Sequence, residues 1–418
     1  MRVTNYLRSF AQVKDPLSTE EYRSLGGFDG LKAALGMAPG DVITRVKEAR
    51  LAGRGGAGFD TGTKWSTVPD EEEVYVVCNA DEGEPGTFKD RYLLERAPFL
   101  VIEGLAIAAY AVGARKAFVY IRGEYPVARE RIQAALDALK EAGFPASLGH
   151  NGDFQLDITV KVGGGSYVVG DETALLNSLM GNRGYPLLKP PFPTEQGLWE
   201  KPTVVNNVET LACVPLIMSR GSEWFSKIGS EKNPGPKLYS VSGHVVKPGV
   251  YELPMGSSVA EVLEVAGGPA GTLKAVQIGG TAGPFYTPAA LELPLDFASM
   301  RAAGGSLGSG AVVVMNSSVS MIQVLQVTAR FFSEESCGQC FACRYGTRQL
   351  EYMANEIAAG RGKLDYLRRI RETAEVMDQS SFCPFGQSVK LPVYTLLDNF
   401  GEEITTAIKE HEFLREVS

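Results

Sequence analysis

Four of the six cysteines lie in the last fifth of the 418-residue chain, three of them in series as Cys337-Gly-Gln-Cys340-Phe-Ala-Cys343 ahead of a remote Cys383-Pro384. A fold that uses them together has to bring Cys383 back to the first three. Three thiolates at two-residue gaps wrap around one corner of a cubane, a distant fourth completes it, and proline after the last ligand echoes bacterial ferredoxin runs. Zinc also accepts four thiolates, but its sites usually pair two C-x2-C knuckles instead of running three cysteines in series. A disulfide framework is a poor third, because the compartment expected for so large a chain is reducing. The pattern points to a [4Fe-4S] cluster on Cys337, Cys340, Cys343 and Cys383. Cys78 and Cys213 stand alone among apolar neighbours and read as small buried residues.

The length exceeds what one hydrophobic core usually serves, so two or three domains are expected. A net charge of −8 with no Lys/Arg block disfavours nucleic acid and anionic lipid. The longest apolar stretch, residues 99–114, contains Glu103 and is shorter than the roughly 20 residues of a membrane span. Residues 1–10 lack an apolar signal core after a basic head, so the cytoplasm is the expected location.

Residues 1–50 read as a polar, helix-rich lead-in anchored by Leu31, Leu35, Ile43 and Val46. Residues 51–233 read as α/β, with buried strands at 74–78 and 117–121, an alternating strand at 155–162, and a helix at 127–142 stopped by Gly143. Such alternation implies a largely parallel sheet with ligands at its loop edge. Short strands and Gly/Pro turns make residues 234–318 a small α+β unit. Residues 319–418 are helical, with runs at 321–332, 344–359, 364–377 and within 391–411, and Ser320 and Gln323 are spaced as a capping box for the first. Four such helices would make a bundle.

Four loops of the α/β region carry candidate binding chemistry. The run Gly53-Arg-Gly-Gly-Ala-Gly-Phe59 sets Gly53, Gly55, Gly56 and Gly58 close together. Backbone without Cβ atoms can approach a phosphate or a flat ring closely, and Arg54 and Lys64 add charge where an anion would sit. Its spacing is neither a Rossmann fingerprint nor a Walker loop, and alone it is equally compatible with a flexible turn. After the strand at 74–78, Asn79, Asp81 and Glu84 offer acceptors to ribityl hydroxyls, ring N–H groups or a nicotinamide amide, the alternative being a turn rich in Asx and Gly. The third loop, from Gly163 through Tyr167, Gly170, Asp171 and Glu172, again follows a strand and opens a helix, which suits FMN or NADH. The fourth element holds Lys189, Phe192, Asn206 and Asn207, and the asparagine pair is equally compatible with a structural role. NADH gives up its electrons as a hydride, whereas a cluster accepts one at a time, so a flavin between them is implied.

The motifs GRGGAGF with TG and KW at 53–65, NADE-x-EPGTFKDR at 79–91, IRGEYP at 121–126, KPPFP and GLW within 189–199, KPT-x-x-NNVET at 201–210 and ESCGQC-x-x-CR at 335–344 occur in unbroken order. In these the chain resembles the NADH-binding, FMN-containing subunit of respiratory complex I. The resemblance implies a Rossmann-like α/β flavin-binding domain, a ubiquitin-like β-grasp (SLBB-type) domain and a C-terminal four-helix bundle carrying the cluster. It implies FMN contacts at Gly53, Arg54, Gly55, Lys64, Asn79, Asp81, Glu82, Tyr167, Gly170, Asp171, Glu172, Asn206, Asn207 and Thr210, with Gly56 and Gly58 as further cofactor-binding positions. NADH would lie with Glu84 and Glu172 beside its reacting ring, the catalytic candidates, and with Phe59, Lys189 and Phe192 along its adenosine side. Hydride passes directly between stacked rings, so no acid or base is required and the site's task is orientation. Asp171 is one methylene shorter than the glutamate common in the family, Thr67 stands where some relatives have an aromatic ring, and Phe341-Ala342 replaces a common Thr-Pro without altering the cysteine spacing.

The implied activity is electron input to an NADH:quinone oxidoreductase, at the inner side of the cell membrane, beside E-type [2Fe-2S] and G-type iron-sulfur subunits. The rival is the diaphorase subunit of a soluble NAD-linked hydrogenase or formate dehydrogenase. Those relatives frequently carry further iron-sulfur cysteines, and no cysteine precedes Cys78 or follows Cys383 here. A zinc-stabilised scaffold without the chemistry is the reading from another class.

Overall fold

The computed structural model describes residues 3–145 and 154–417. A four-stranded, wholly parallel sheet forms first, from β1 (Tyr75–Ala80), β2 (Lys116–Ile121), β3 (Asp157–Val162) and β4 (Thr203–Asn207) in the order β3-β2-β1-β4. Alternation explains why both faces of β1 are dry. Val76, Cys78 and Ala80 point into the main core, while Tyr75 and Val77 point into a second cluster with Val168, Leu175 and Val205. The helix Pro98–Ala111 is apolar on nearly every side and lies buried between the sheet and the helix Val208–Arg220. The chain runs from β1 outward through β2 to β3, then returns to place β4 on the other side of β1. That reversal opens a crevice at the carboxyl ends of β1 and β4.

A mixed sheet follows, β6-β5-β9-β7-β8, from β5 (Pro236–Gly243), β6 (Gly249–Pro254), β7 (Leu273–Ile278), β8 (Phe285–Tyr286) and β9 (Ala311–Asn316). One face covers its own core of Tyr239, Val262, Ile278 and Val312. From the other face, Ala275, Phe285 and Met315 join the core of the C-terminal helices. Those helices, Met321–Glu335, Phe341–Ala358, Leu364–Ser380 and Lys390–Val417, pack around Leu325, Phe332, Leu350, Ile370, Met377 and Leu396.

The capping box expected at Ser320 and Gln323 does not form. Ser320 makes no side-chain cap, and the first free N–H of the helix, that of Met321, donates to Glu403 Oε1 at 3.0 Å, a carboxylate from the last helix. A full capping box forms at Ser258 and Glu261. In the lead-in, Leu31 and Val46 are fully buried, with Leu35 and Ile43 at the margin of the same core. Glu103, the charge that interrupts the apolar stretch, accepts the Phe28 and Leu31 N–H groups at 2.8 and 2.9 Å and the Tyr22 hydroxyl. Glu252 of β6 likewise accepts from the backbone of Tyr6, Leu7 and Arg8. Cys78 and Cys213 are buried free thiols, as expected. Among the described residues no helix is long and apolar enough to cross a membrane.

Helix contact is closest at Gly104, where a Cβ would lie 2.0 Å from the Leu211 carbonyl oxygen. Gly104→Ala forces two packed helices apart and should lower unfolding free energy by about 2–3 kcal/mol. Gly40→Ala meets nothing within 4 Å at an exposed helix position and should raise it by about 0.5–1 kcal/mol. Urea denaturation of the two variants checks the contrast, and equal effects would contradict the packing.

Candidate functional site

The carboxyl ends of β1 and β4 open into a cavity of about 990 Å³, at the upper end of what small-molecule sites usually offer. In-register pairing sets Cys78 beside Asn206 and Asn79 beside Asn207, so the asparagines at the two strand ends meet at the rim. Asn79 Nδ2 donates to the Gly170 carbonyl at 2.9 Å, joining the first acidic loop to the third glycine loop. Asn207 Nδ2 donates to Asp90 Oδ2 at 2.6 Å, and its Oδ1 caps the helix Val208–Arg220. Asn206 Oδ1 accepts from Trp65 Nε1 at 2.8 Å. The pair therefore has structural partners and also lines the cavity.

The glycine loop forms one wall, with Gly53, Gly55, Gly56, Gly58 and Phe59 lining the space. A Cβ on Gly55 would press on the Asn207 Cβ at 3.2 Å, and Gly58, at φ +68°, has Phe297 within 2.8 Å of that position. Thr210 Oγ1 accepts the Arg54 N–H at 2.8 Å and pins the loop's start. Arg54 departs from the expectation that its charge faces an anion. Its guanidinium is fully buried and donates to the Pro234 and Pro236 carbonyls at 2.9 and 3.0 Å, and the residue does not line the cavity. The cations that do reach the cavity include Lys64 and Lys189, both drawn to Glu172, at 2.7 and 2.6 Å. Burial opposes the Glu172 charge, but Lys64 and Lys189 outweigh it and hold the carboxyl below its usual range.

Opposite, the second loop supplies Asp81, Glu82 and Glu84. Glu84 accepts the Tyr167 hydroxyl at 2.5 Å and the Ala282 N–H at 3.2 Å, and burial still raises its carboxyl. Glu82 takes the Asp90 and Arg91 N–H groups, both at 2.9 Å, and burial, then the Asp90 charge, pushes it up to about 7. Burial also pushes Asp81 up to about 7, against the pull of Arg122. Asp171 spends its shorter side chain as a helix N-cap, accepting the Thr173 and Ala174 N–H groups at 2.9 and 3.2 Å. Thr67 also lines the cavity and donates to Thr194 Oγ1 at 2.9 Å.

Apart from Arg54, every candidate taken from the four loops lines this one cavity, Phe192 and Thr210 included. Sequence reasoning missed Lys89 and Asp90 as lining residues, although both lie inside the quoted motif at 79–91. It also missed Gly279, Ala282, Gly283, Gly308 and Ser309 from the second sheet, whose only local signal is glycine content. A further wall is formed by Cys383, Pro384, Phe385, Ser388 and Leu391.

Cys383 thereby belongs both to the cavity and to the cysteine set. Burial first of all, with the charges of Cys340, Cys383 and Cys337 adding to it, pushes the Cys343 thiol up to about 12, so the four sulfurs share one neighbourhood. Among the described residues no three thiols, imidazoles or carboxylates converge on a single metal ion. The all-sulfur donor set, three cysteines in series and a remote fourth, fits an iron-sulfur cluster. The glycine-walled cavity, with its acceptors and three lysines, has the size and lining to fit a flavin nucleotide together with a second nucleotide.

Residues 46–216 match the Nuo51 FMN-binding domain, 238–284 the SLBB domain, and 323–407 the iron-sulfur binding region of NADH-ubiquinone oxidoreductase-F. The second F-type subunit of NADH-quinone oxidoreductase in Rhizobium meliloti (strain 1021) is 46% identical, over 93% of this chain and 94% of its own length. The HndC subunit of the NADP-reducing hydrogenase of Solidesulfovibrio fructosivorans is 41% identical over 93% of this chain and 80% of its own. A crystal structure of an NAD+-reducing [NiFe]-hydrogenase in the H2-reduced state superposes with a TM-score of 0.83 at 38% identity, over 90% of this chain, which spans 64% of that one.

A carboxyl whose folded value stands above its unfolded value of about 3.9 stabilises fully below that value and loses its contribution as pH rises through the folded one. Asp81, raised to about 7, is such a group. Asp81→Asn should therefore leave the cofactor-free protein about 1–3 kcal/mol more stable than wild type near pH 8, with the gap closing towards pH 4. Urea unfolding at both ends of that window tests it, and a gap independent of pH would refute the assignment.

Proposed function

The chain belongs to the family of NADH-quinone oxidoreductase F-type subunits, and from that premise we propose that its electrons go on to quinone through the other iron-sulfur subunits of a membrane-anchored complex. It is an NADH-oxidising subunit with FMN, NADH and a [4Fe-4S] cluster as its redox groups. When bound, FMN takes hydride from NADH and releases the electrons singly to the cluster.

The observation that carries the reading is the shared wall. Cys383 lines the cavity that holds the glycine and acid loops and is also one of the four clustered thiols, so the two redox sites are adjacent within one chain. Around that wall we assign the flavin to Gly53, Gly55, Gly56, Gly58, Asn79, Asp81, Glu82, Tyr167, Gly170, Asp171, Asn206, Asn207 and Thr210. Arg54 serves as an anchor of the loop beneath it. Lys64 and Lys189 hold Glu172 ionised near the reacting ring, and Glu84 and Tyr167 fix the opposite side by their hydrogen bond. Phe59 and Phe192, both at least half exposed at the mouth, offer apolar faces to the second nucleotide. Cys337, Cys340, Cys343 and Cys383 ligate the cluster.

We divide the chain into a lead-in of residues 1–50, a flavin domain of 51–233, a β-grasp domain of 234–318 and a four-helix bundle of 319–418. E-type [2Fe-2S] and G-type subunits are the proposed neighbours, on the cytoplasmic side of the membrane. The alternative, a diaphorase subunit of a soluble hydrogenase, shares every step up to the cluster and differs only in the acceptor.

Anaerobically prepared protein should show flavin absorbance, a reduced-cluster EPR signal with NADH, and NADH:ferricyanide but no quinone-specific activity. A colourless, zinc-loaded protein, or a preference for NADPH, would sink the reading. Cys383→Ser should abolish the cluster signal while leaving ferricyanide reduction within about threefold of wild type, because hydride acceptance and cluster reduction are separate steps. Loss of both together would show that the wall does not separate them.

A further inference from the structure

Beside Cys337 lies a second pocket, of about 310 Å³, lined almost wholly by polar groups: Arg183, Arg344, Arg348, Tyr185, Ser333 and Ser336. Its three arginines differ from the others on the C-terminal helices. Arg330 pairs with Glu334, Arg361 with Glu356, Arg368 with Asp365 and Glu372, Arg369 with Asp365 and Arg371 with Asp398. Among the described residues Arg183, Arg344 and Arg348 have no acidic partner, although the chain carries a net charge of −8. Arg183 and Arg344 instead lie over the Tyr185 and Tyr345 rings, at 4.7 and 5.8 Å. Three guanidiniums facing one polar recess are an acceptor-shaped deficit, since each presents a planar fork that fits a carboxylate.

The surroundings specify what brings the carboxylates. Phe341 is 78% exposed and Tyr345 47%, and the two rings lie 4.6 Å apart on the helix that carries Cys343 and Arg344. Exposed aromatics next to arginines are the composition of protein interfaces, not of small-anion sites. The pocket also touches Cys337, whereas the nucleotide cavity touches Cys383, so the two openings reach different ligands of the cysteine set.

We propose that this pocket is the docking point for acidic side chains of the protein that takes electrons from this chain. The inference rests on the functional reading above, in which the four cysteines hold a cluster. The transfer it serves moves one electron from this chain to the acceptor, which is reduced as the donor is oxidised, and no bond is made or broken. Complementary charge steers the encounter, and the aromatic pair supplies the dry contact.

Phenylglyoxal footprinting with mass spectrometry tests it on the isolated subunit and on the assembled complex. Arg183, Arg344 and Arg348 should react in the first and be protected in the second, with Arg361 reactive in both. The double variant Arg183→Gln/Arg348→Gln should bind the remainder of the complex about tenfold or more weakly, and the wild-type affinity should fall steeply with salt. Its cluster EPR signal and NADH:ferricyanide rate should stay at wild-type level, which shows that the loss is not misfolding. Equal modification of the three arginines in both states, or double-variant affinity within twofold of wild type, would overturn the proposal. Footprint and affinity need no turnover, so their failure is distinct from failure of the functional reading, which would appear as absent flavin or cluster spectra.

Discussion

A buried group of charges ties the flavin-side sheet to the second sheet. Glu209, fully buried on the helix after β4, accepts Lys237 Nζ of β5 at 2.6 Å, faces Lys89 Nζ at 3.1 Å and accepts the Leu238 N–H at 2.8 Å. Lys89 in turn pairs with Asp90 at 2.7 Å, and Asp90 accepts Asn207. Burial works against the Glu209 charge, but Lys237 and Lys89 prevail and hold its carboxyl below the usual range. An unpaired charge here would be strongly destabilising, so a pair of this kind tolerates only the arrangement in which every member is met. The alignment of β5 against the helix Val208–Arg220 follows from it.

Because Lys89, Asp90 and Asn207 also line the cavity, the same network shapes the binding site from beneath. The cavity is consequently a product of three parts of the chain. The parallel sheet supplies acceptors at its switch point, the second sheet supplies Gly279, Ala282 and Gly308, and the C-terminal helices supply Cys383 and Phe385. Tyr167 joins them: its ring meets Phe331 and Phe385 at 5.1 and 5.7 Å, its N–H donates to Glu335 and its hydroxyl to Glu84. One residue thus holds the acid loop, the wall and the segment leading into Cys337 in fixed relation.

The parts of this arrangement legible in the sequence are those with local causes. Short apolar runs and one alternating segment reveal the strands, a strand's carboxyl end locates the acidic loop, and clustered glycines mark backbone that must come close to something. The unread parts depend on residues far apart in the chain. Ser320 has the spacing of a capping box, yet its side chain caps nothing, and the Met321 N–H is met by Glu403 from the last helix. Glu103 reads as an interruption in an apolar stretch, and only the fold reveals that the Phe28 and Leu31 N–H groups donate to its oxygens. The Ser258 box is a local motif that does form, with the neighbouring Val259 and Ala260 N–H groups met by the distant Leu293 and Leu291 carbonyls.

Arg54 shows why charge in a glycine loop has two physical meanings. A cation there either meets a ligand's anion or fastens the loop so that the glycines can do so, and sequence spacing is identical for both. Nonlocal acceptors decide between them. The Pro234 and Pro236 carbonyls, at the entry to β5, take the guanidinium, and Thr210 takes the Arg54 backbone N–H. The side chain passes beneath the loop into the neighbourhood of Glu209, whose charge it helps to sustain. The loop's position is therefore tied to the strand that joins the two sheets, and the cavity wall keeps Lys64 and Lys189, held by Glu172, together with Lys89.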